Sequence, residues 1–455
     1  MNFLIIGGDA AGMSAASRAK RNQPDLTVTV LEQTEDVSYS ACGMPYNIAD
    51  TKRDMNDLVV REARVFREKQ GIQVLTGHTA QTLHLKRKTV SGKKRDGTGF
   101  ELPYDKILIA TGARPIQPDI PGHDLPGVLY LKNLEQGRNI KAFLQTHPVK
   151  KAVILGMGYI ALEMCEAFRE RDIQVSMIKP RETFLPWMAR DLAGMVKEEL
   201  TSRGVTLYSG SRVTEIRGIE TGGLQVVYSE GSLDADLILV ATGVVPNSEI
   251  AAGAGLELGP GKSIAVDRSL RTSAPDIYAA GDCSDAYHVV TGEKTWIPLA
   301  LRANRAGWAV ADAICGEDVT LEGVAGTAVF KVFDLEVART GLGMEEAKQA
   351  GFDPEEEIIH SRSRAHAHPG SETIRVQMVG DKTTGRLLGV QMVGKEGVAH
   401  RINAPAVALS SGMTVARFSQ CDLAYAPPFG PVWDPVLTAA NQWMKKQQQP
   451  LDTVP

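Results

Sequence analysis

The sequence predicts an α/β protein: two βαβ units of the doubly wound kind, one set inside the other, followed by an α+β segment. Three observations carry that prediction. An apolar run that turns through glycines into a helix and rises into a second strand occurs twice, starting at Phe3 and at Ala152. Each copy later closes on an apolar strand running into Ala-Thr-Gly, at Lys106 to Gly112 and at Leu237 to Gly243. Beyond residue 323 the pattern changes to short alternating runs, the period of half-buried antiparallel strands. At ~150 residues per domain, a chain of 455 residues has room for about three bodies, each with its own core.

In the first copy a strand over Phe3 to Ile6 enters Gly7-Gly8-Asp9-Ala10-Ala11-Gly12, then an Ala-rich helix, then a strand over Thr27 to Leu31 that ends at Glu32. The second copy has a strand over Ala152 to Leu155, the turn Gly156-Met157-Gly158-Tyr159-Ile160-Ala161, a helix through Arg171 and a strand over Val175 to Ile178. In the last part Ala328 to Phe333, Thr373 to Met378 and Leu387 to Met392 read as antiparallel strands. The Gln- and Pro-rich tail after Lys445 has little to bury and is expected to be mobile.

Composition narrows function by exclusion. Fifty Lys and Arg against fifty-four Asp and Glu leave a net charge of -4, so there is no basic field for nucleic acid or an anionic bilayer. The longest apolar run, around Leu237 to Val245, falls well short of the ~20 residues that cross a membrane. No basic stretch precedes the opening MNFLIIGG, so no signal peptide is expected and a cytoplasmic protein is the default. Cys42, Cys165, Cys283, Cys315 and Cys421 are odd in number and widely scattered, unlike a disulfide framework or a zinc site. His360, His366 and His368 lie beside Arg362 and Arg364 with no cysteine or carboxylate at ligand spacing, so no metal is expected there.

The two glycine turns read as dinucleotide sites of the Rossmann-like kind. Gly7, Gly8, Ala11 and Gly12 in one, and Gly156, Gly158, Tyr159 and Ile160 in the other, let the backbone approach a pyrophosphate while the helix offers its free N–H groups and positive dipole end. Ala110-Thr111-Gly112 and Gly243 close the two units. Glu32 at its strand end is placed to accept from a ribose hydroxyl; the alternative is a solvated loop carboxylate. The run Thr272 to Asp282 resembles the second flavin fingerprint of two-dinucleotide flavoproteins, which assigns Gly281 and Asp282 to FAD, with Asp282 on the ribityl chain.

With Ser38-Tyr39-Ser40-Ala41-Cys42-Gly43-Met44-Pro45-Tyr46 included, the motif order resembles the pyridine nucleotide-disulfide oxidoreductases. Within them it is most similar to the single-cysteine branch of coenzyme A-disulfide reductases, NADH oxidases and NAD(P)H persulfide or polysulfide reductases. The likeness covers nearly the whole chain, through Tyr425-Ala426-Pro427-Pro428-Phe429 and Trp433-Asp434-Pro435; no rhodanese-like domain is expected after it. It implies FAD and NADPH (or NADH) as cofactors, and a small disulfide, persulfide or polysulfide as substrate, with coenzyme A a candidate carrier. Cys42 is implied to be the redox centre, Tyr159 the aromatic gate over the flavin and Glu163 a neighbour of the nicotinamide. Asn47 stands where two-cysteine relatives carry the second sulfur, so Cys42 works alone, through a mixed disulfide or a sulfenic acid. The residues after Cys42 read as a helix start, a setting that lowers a thiol pKa. The family dimerises through the last domain, which implies a homodimer in which Tyr425 serves the other subunit's cysteine as proton donor.

Several positions depart from the family pattern. Asp9 fills the second glycine position, where this branch has valine, and Ala161 the third position of the other turn; both read as small enough to be tolerated. Ala41 replaces an asparagine of coenzyme A-disulfide reductases. His368, in Ala365-His366-Ala367-His368-Pro369, takes the place of a tyrosine acid, and its imidazole is expected to change the pH response. Arg18 and Arg21 match positions for an adenosine phosphate, and otherwise are exposed helix arginines. Lys179 and Arg181 at the second strand's end replace the usual ribose-reading acid, which favours NADPH. The domain reading is FAD on 1–115 with 246–323, NAD(P)H on 116–245 and dimerisation on 324–455. Two other functions stay open: an NADH oxidase or peroxidase using a Cys42 sulfenic acid, whose members carry histidine at the place of Ala10, and a slow flavin-bound redox sensor that docks a partner.

Overall fold

The structure, a computed structural model, describes residues 1–220 and 222–448. Two five-stranded parallel sheets share one design. The first runs Ile277–Ala279, Lys106–Ile109, Asn2–Ile6, Thr27–Leu31, Gln73–Leu75. The second runs Thr206–Ser209, Gln174–Lys179, Lys151–Leu155, Leu237–Val240, Val128–Tyr130. Strands covered by helices on both faces need apolar residues on both sides, which is why Phe3 to Ile6 and Leu237 to Val240 are unbroken apolar runs and fully buried.

The chain leaves the first unit through Ala113–Pro115 and returns through Val244–Pro246, and these two short strands pair antiparallel. Each glycine turn is matched to its Ala-Thr-Gly by space. Gly7 has φ +111°, and a Cβ there would lie 2.1 Å from the Ala110 carbonyl oxygen. Gly156, with φ +117°, meets the Ala241 carbonyl in the same way at 2.2 Å. Only glycine permits that backbone and that approach.

The last part is a five-stranded antiparallel sheet in the order Ala328–Val332, Leu335–Gly341, Leu387–Gly394, Thr373–Asp381, Pro354–Arg362. Helix Pro435–Gln448 packs on it, with the Trp443 indole N–H donating to the Glu355 carbonyl at 2.9 Å.

Some boundaries differ from expectation. Phe333 is not strand but turn, with φ +52°, because Val332 pairs with Leu335 across a two-residue loop. Strands Leu335–Gly341 and Pro354–Arg362 were not expected. The second glycine-turn helix stops at Arg169, two residues short of Arg171, before Asp172 turns left-handed at φ +60°. Past Lys445 the helix continues to Gln448, with Lys446 donating to the Glu356 carbonyl at 3.0 Å; the rest of the tail lies outside the described residues. Among the described residues no helix is long and apolar enough to cross a membrane.

Candidate functional site

One continuous cavity of about 3330 Å³ runs between the two parallel-sheet units and reaches the antiparallel domain. Both glycine turns open onto it at the carboxyl ends of their strands, the place where open α/β sheets bind ligands. From the first unit it is lined by Gly7, Gly8, Ala11, Glu32, Cys42, Ala110, Thr111, Gly112, Gly281 and Asp282. Gly156, Gly158, Tyr159, Ile160, Glu163, Lys179, Arg181 and Gly243 line it from the second. Gly12 does not line it. It is buried beneath the turn, where a Cβ would lie 1.9 Å from the Gly7 carbonyl oxygen, so it acts by packing rather than by contact with a ligand.

The residues present fit a dinucleotide at each turn. Helices Ala10–Asn22 and Tyr159–Arg169 begin at Asp9 and Gly158 with no side-chain cap, which leaves their first N–H groups facing the cavity for phosphate oxygens. Glu32 is already at work in the loop. Its Oε2 accepts from the Gly8 N–H at 2.8 Å and its Oε1 from the Thr34 N–H and hydroxyl, both at 2.8 Å, which fixes the carboxylate at the strand end.

Asp9 corrects the expectation that size alone decides its fit. Burial pushes its carboxyl up to about 6, helped by Glu32 and Asp282 and opposed by the Tyr39 N–H and Lys132. Lys132 was missed in the sequence. It bridges to Asp282 Oδ2 at 2.9 Å and lines the cavity beside Cys42. Its segment, Leu131-Lys132-Asn133, carries no glycine or periodic signal, so only the fold brings it to the flavin fingerprint.

Cys42 sits in a tight turn over Ala41–Gly43, directly before helix Met44–Ala49, whose first turn holds Pro45, a residue suited to a helix start. It is exposed to the cavity. The thiol is nonetheless pushed up rather than down: burial among the cavity walls and the Glu163 carboxylate raise it, and Lys132 works the other way. The helix start is present, as expected, but the low thiol pKa drawn from it is not found. Cys165 and Cys283 are fully buried.

In the second unit Tyr159 packs against Phe330 at 4.7 Å between ring centroids and edge-on to Trp187 at 5.5 Å. Phe330 comes from the antiparallel domain, so this aromatic wall is built from two domains. Glu163 accepts from the Tyr46 hydroxyl at 3.0 Å, and burial raises its carboxyl. Lys179 and Arg181 both face the cavity; Lys179 donates to the Thr183 carbonyl, and burial lowers its ammonium pKa. Arg212, not singled out in the sequence, joins them.

Three further residues stand apart. Tyr425 and His368 belong to two loops joined by a bond from the Ala365 N–H to the Pro427 carbonyl at 3.0 Å, and neither lines the cavity within one chain. Arg18 is engaged by both Asp312 carboxylate oxygens, at 2.8 and 2.9 Å, so it is a bonded ion pair and not a free cation for an adenosine phosphate. No group of three His, Cys, Asp or Glu able to hold a metal occurs among the described residues.

Family models match residues 1–307 as pyridine nucleotide-disulphide oxidoreductase and 327–435 as the dimerisation domain of that family. An NAD(P)H sulfur oxidoreductase (CoA-dependent) of Pyrococcus furiosus is 37% identical over 445 residues, 96% of this chain and 98% of that protein. An NADH oxidase of Methanocaldococcus jannaschii is 32% identical, covering 98% of this chain and 99% of that one. A solved NAD-dependent persulfide reductase from A. fulgidus superposes with a TM-score of 0.94 at 38% identity, over 98% of this chain and 84% of its own.

Proposed function

The chain belongs to the pyridine nucleotide-disulphide oxidoreductase family, and from that premise we propose that it is an NAD(P)H-dependent reductase of a small disulfide, persulfide or polysulfide. FAD and NAD(P)H are its cofactors. In this reading 1–115 with 246–323 carries FAD, 116–245 carries the nicotinamide nucleotide and 324–455 forms a homodimer, working in the cytoplasm. Coenzyme A, in the printed names of relatives, is the candidate thiol carrier.

The observation that carries the reading is Cys42, open to the cavity, with a buried Asn47 where a second sulfur would stand. FAD, when bound, supplies the electron pair taken from the reduced nicotinamide. The Cys42 thiolate attacks one sulfur of the substrate, forms a mixed disulfide and releases the other sulfur as a thiolate. The electron pair then cleaves that mixed disulfide, giving a second thiolate and restoring Cys42. For each NADPH oxidised, one S–S bond is reduced and two protons are needed at sulfur, one of them from NADPH plus one from solvent. Tyr425, exposed, and His368, half-buried, supply protons from the partner subunit in this reading. Lys179 and Arg181 favour NADPH through charge-assisted bonds to its 2′-phosphate.

The NADH oxidase names among relatives support a second reading, oxygen reduction through a Cys42 sulfenic acid. Stopped-flow reduction of the enzyme followed by mixing with coenzyme A disulfide, polysulfide or oxygen separates the two. In Cys42→Ser, NADPH should still reduce the flavin while sulfur reduction disappears; near-normal sulfur reduction in that variant sinks the reading. A kcat/KM for NADH that equals or exceeds that for NADPH, unchanged by Lys179→Ala and Arg181→Ala, shows that these cations do not read the 2′-phosphate.

A further inference from the structure

The cysteine helix is anchored at the end away from Cys42, and the anchor belongs to the other nucleotide unit. Helix Met44–Ala49 is six residues long, about 9 Å, and like any helix it leaves carbonyls at its end without intrahelical partners. Lys141, on helix Leu134–Thr146, meets them. Its ammonium donates to the Asn47 carbonyl at 2.8 Å, to Asn47 Oδ1 at 2.9 Å, to the Asp50 carbonyl at 3.0 Å and to the Arg53 carbonyl at 2.5 Å. Arg171 adds a bond to the Ile48 carbonyl at 3.2 Å. Asn47 is fully buried, and its Nδ2 donates to the Asp54 carbonyl at 2.8 Å, closing the segment on itself.

Lys141 is 7% exposed, and all four of its acceptors are neutral. Asp50 and Asp54 face it, while Arg53 and Arg171 repel it. Burying a cation without an ion pair is costly, and here the cost is offset by four oxygen acceptors that an apolar side chain would leave without this donor. The lysine is therefore a cap on this segment and not a space-filler.

We infer that Lys141 is a positioning residue for Cys42: it clamps the carbonyl end of helix Met44–Ala49 to the nicotinamide unit and thereby sets the place of the sulfur at the other end. The clamp holds the helix in one register against helix Leu134–Thr146, and so fixes where the turn that carries Cys42 meets the cavity.

This rests on Cys42 being the redox thiol, and the test separates the two. Holoenzyme carrying Lys141→Met or Lys141→Arg is compared with the wild type in three measurements: flavin reduction by NADPH, turnover with coenzyme A disulfide, and the pH profile of Cys42 alkylation by iodoacetamide, read by peptide mass spectrometry. Lys141→Met should reduce flavin within about twofold of the wild type, lose ~10-fold or more in turnover, and alkylate Cys42 at a rate changed about two- to fivefold at neutral pH, with the profile displaced, because the sulfur leaves the place where Glu163 and Lys132 act on it. Lys141→Arg, which keeps the charge, should restore the alkylation profile. A wild-type profile in Lys141→Met overturns the inference, whether or not turnover falls. If Lys141→Met does not fold, Asn47→Ala removes one acceptor and should move the profile in the same direction by less; an unmoved profile there overturns it too. Retained turnover in Cys42→Ser would defeat the functional reading instead, and the alkylation profile of the lysine variants would still decide the clamp.

Discussion

Around the Cys42 sulfur, burial and the Glu163 carboxylate favour the thiol, while Lys132 favours the thiolate. Removing the charge of Glu163 but keeping its shape and its bond to Tyr46 should therefore ease ionisation. In Glu163→Gln, alkylation of Cys42 at neutral pH should speed up by as much as about tenfold, the equivalent of one pKa unit; an unchanged rate would show that Glu163 does not reach the sulfur. Asp9 gives a second residue-scale test. Its folded pKa of about 6 lies above its ordinary 3.8, so the folded state binds more protons than the unfolded state between those values. Stability contributed by the protonated form is full below pH 4 and is lost as pH rises through 6. Asp9→Asn should leave stability at pH 4 nearly unchanged and raise it above pH 6 by ~3 kcal/mol. Denaturant midpoints of both proteins at pH 4.5 and 7.5 check this, and a constant difference would refute it. The sequence displayed Asp9 as a departure in a glycine turn but could not show its surroundings, because Glu32, Lys132 and Asp282 come from segments far apart in the chain. The same separation hid Lys132, and it led Arg18 to be read as free when its partner Asp312 lies on a distant helix.

At the scale of elements, the glycine turns were legible because each is a local pattern whose strand, turn and helix adjoin in sequence. Their match to Ala-Thr-Gly was visible as a recurrence, and the structure supplies its cause in the Gly7–Ala110 and Gly156–Ala241 approaches. Strand Pro354–Arg362 carries Glu355-Glu356-Glu357, which breaks the apolar alternation that marks a strand; it lies at the sheet edge, where charged side chains discourage pairing with other chains. The turn at Phe333-Asp334 has no glycine, so the hairpin gave no signal. A tighter test concerns the helix pair that supports the first glycine turn, to which the proposed function assigns the flavin. Helix Ala300–Ile314 crosses Ala10–Asn22 at Gly307, where a Cβ would lie 2.2 Å from the Ala11 carbonyl oxygen. Gly307→Ala must push the helices apart, at ~1–3 kcal/mol, and displace the N–H groups that face the cavity. The variant should unfold at lower denaturant and purify with less flavin per chain by absorbance; full flavin content and an unshifted midpoint would contradict the role given to this crossing.

Across the whole molecule, the second parallel-sheet unit is tied to the antiparallel domain by buried groups. Glu166 is 5% exposed, accepts from the Phe333 N–H at 2.7 Å and pairs with Lys331. Gln391 joins from the sheet, accepting from the Ala189 N–H and donating to the Trp187 carbonyl, each at 2.9 Å. Glu166→Ala strands the Phe333 N–H and should cost ~1–3 kcal/mol, seen as a lower melting temperature, while flavin absorbance should stay unchanged, since the proposed function puts the flavin at the glycine turn of the other unit. Loss of flavin together with the lowered melting temperature would mean that the units do not behave as separately as the sheets suggest. Such ties join residues more than a hundred positions apart, so the three-part plan could be read from the chain but not the contacts that hold its parts together. The aromatic wall at this junction is also an optical instrument. Trp187 presents its indole to the Tyr159 phenol and to the Arg339 guanidinium, 5.3 Å from the ring centre, and indole emission follows the polarity and charge around the ring. Under the proposed function, in which the nicotinamide displaces Tyr159, the emission of Trp187 should change on binding, so tryptophan fluorescence would time the arrival of the nucleotide without a label, in a Cys42→Ser enzyme as well as in the wild type.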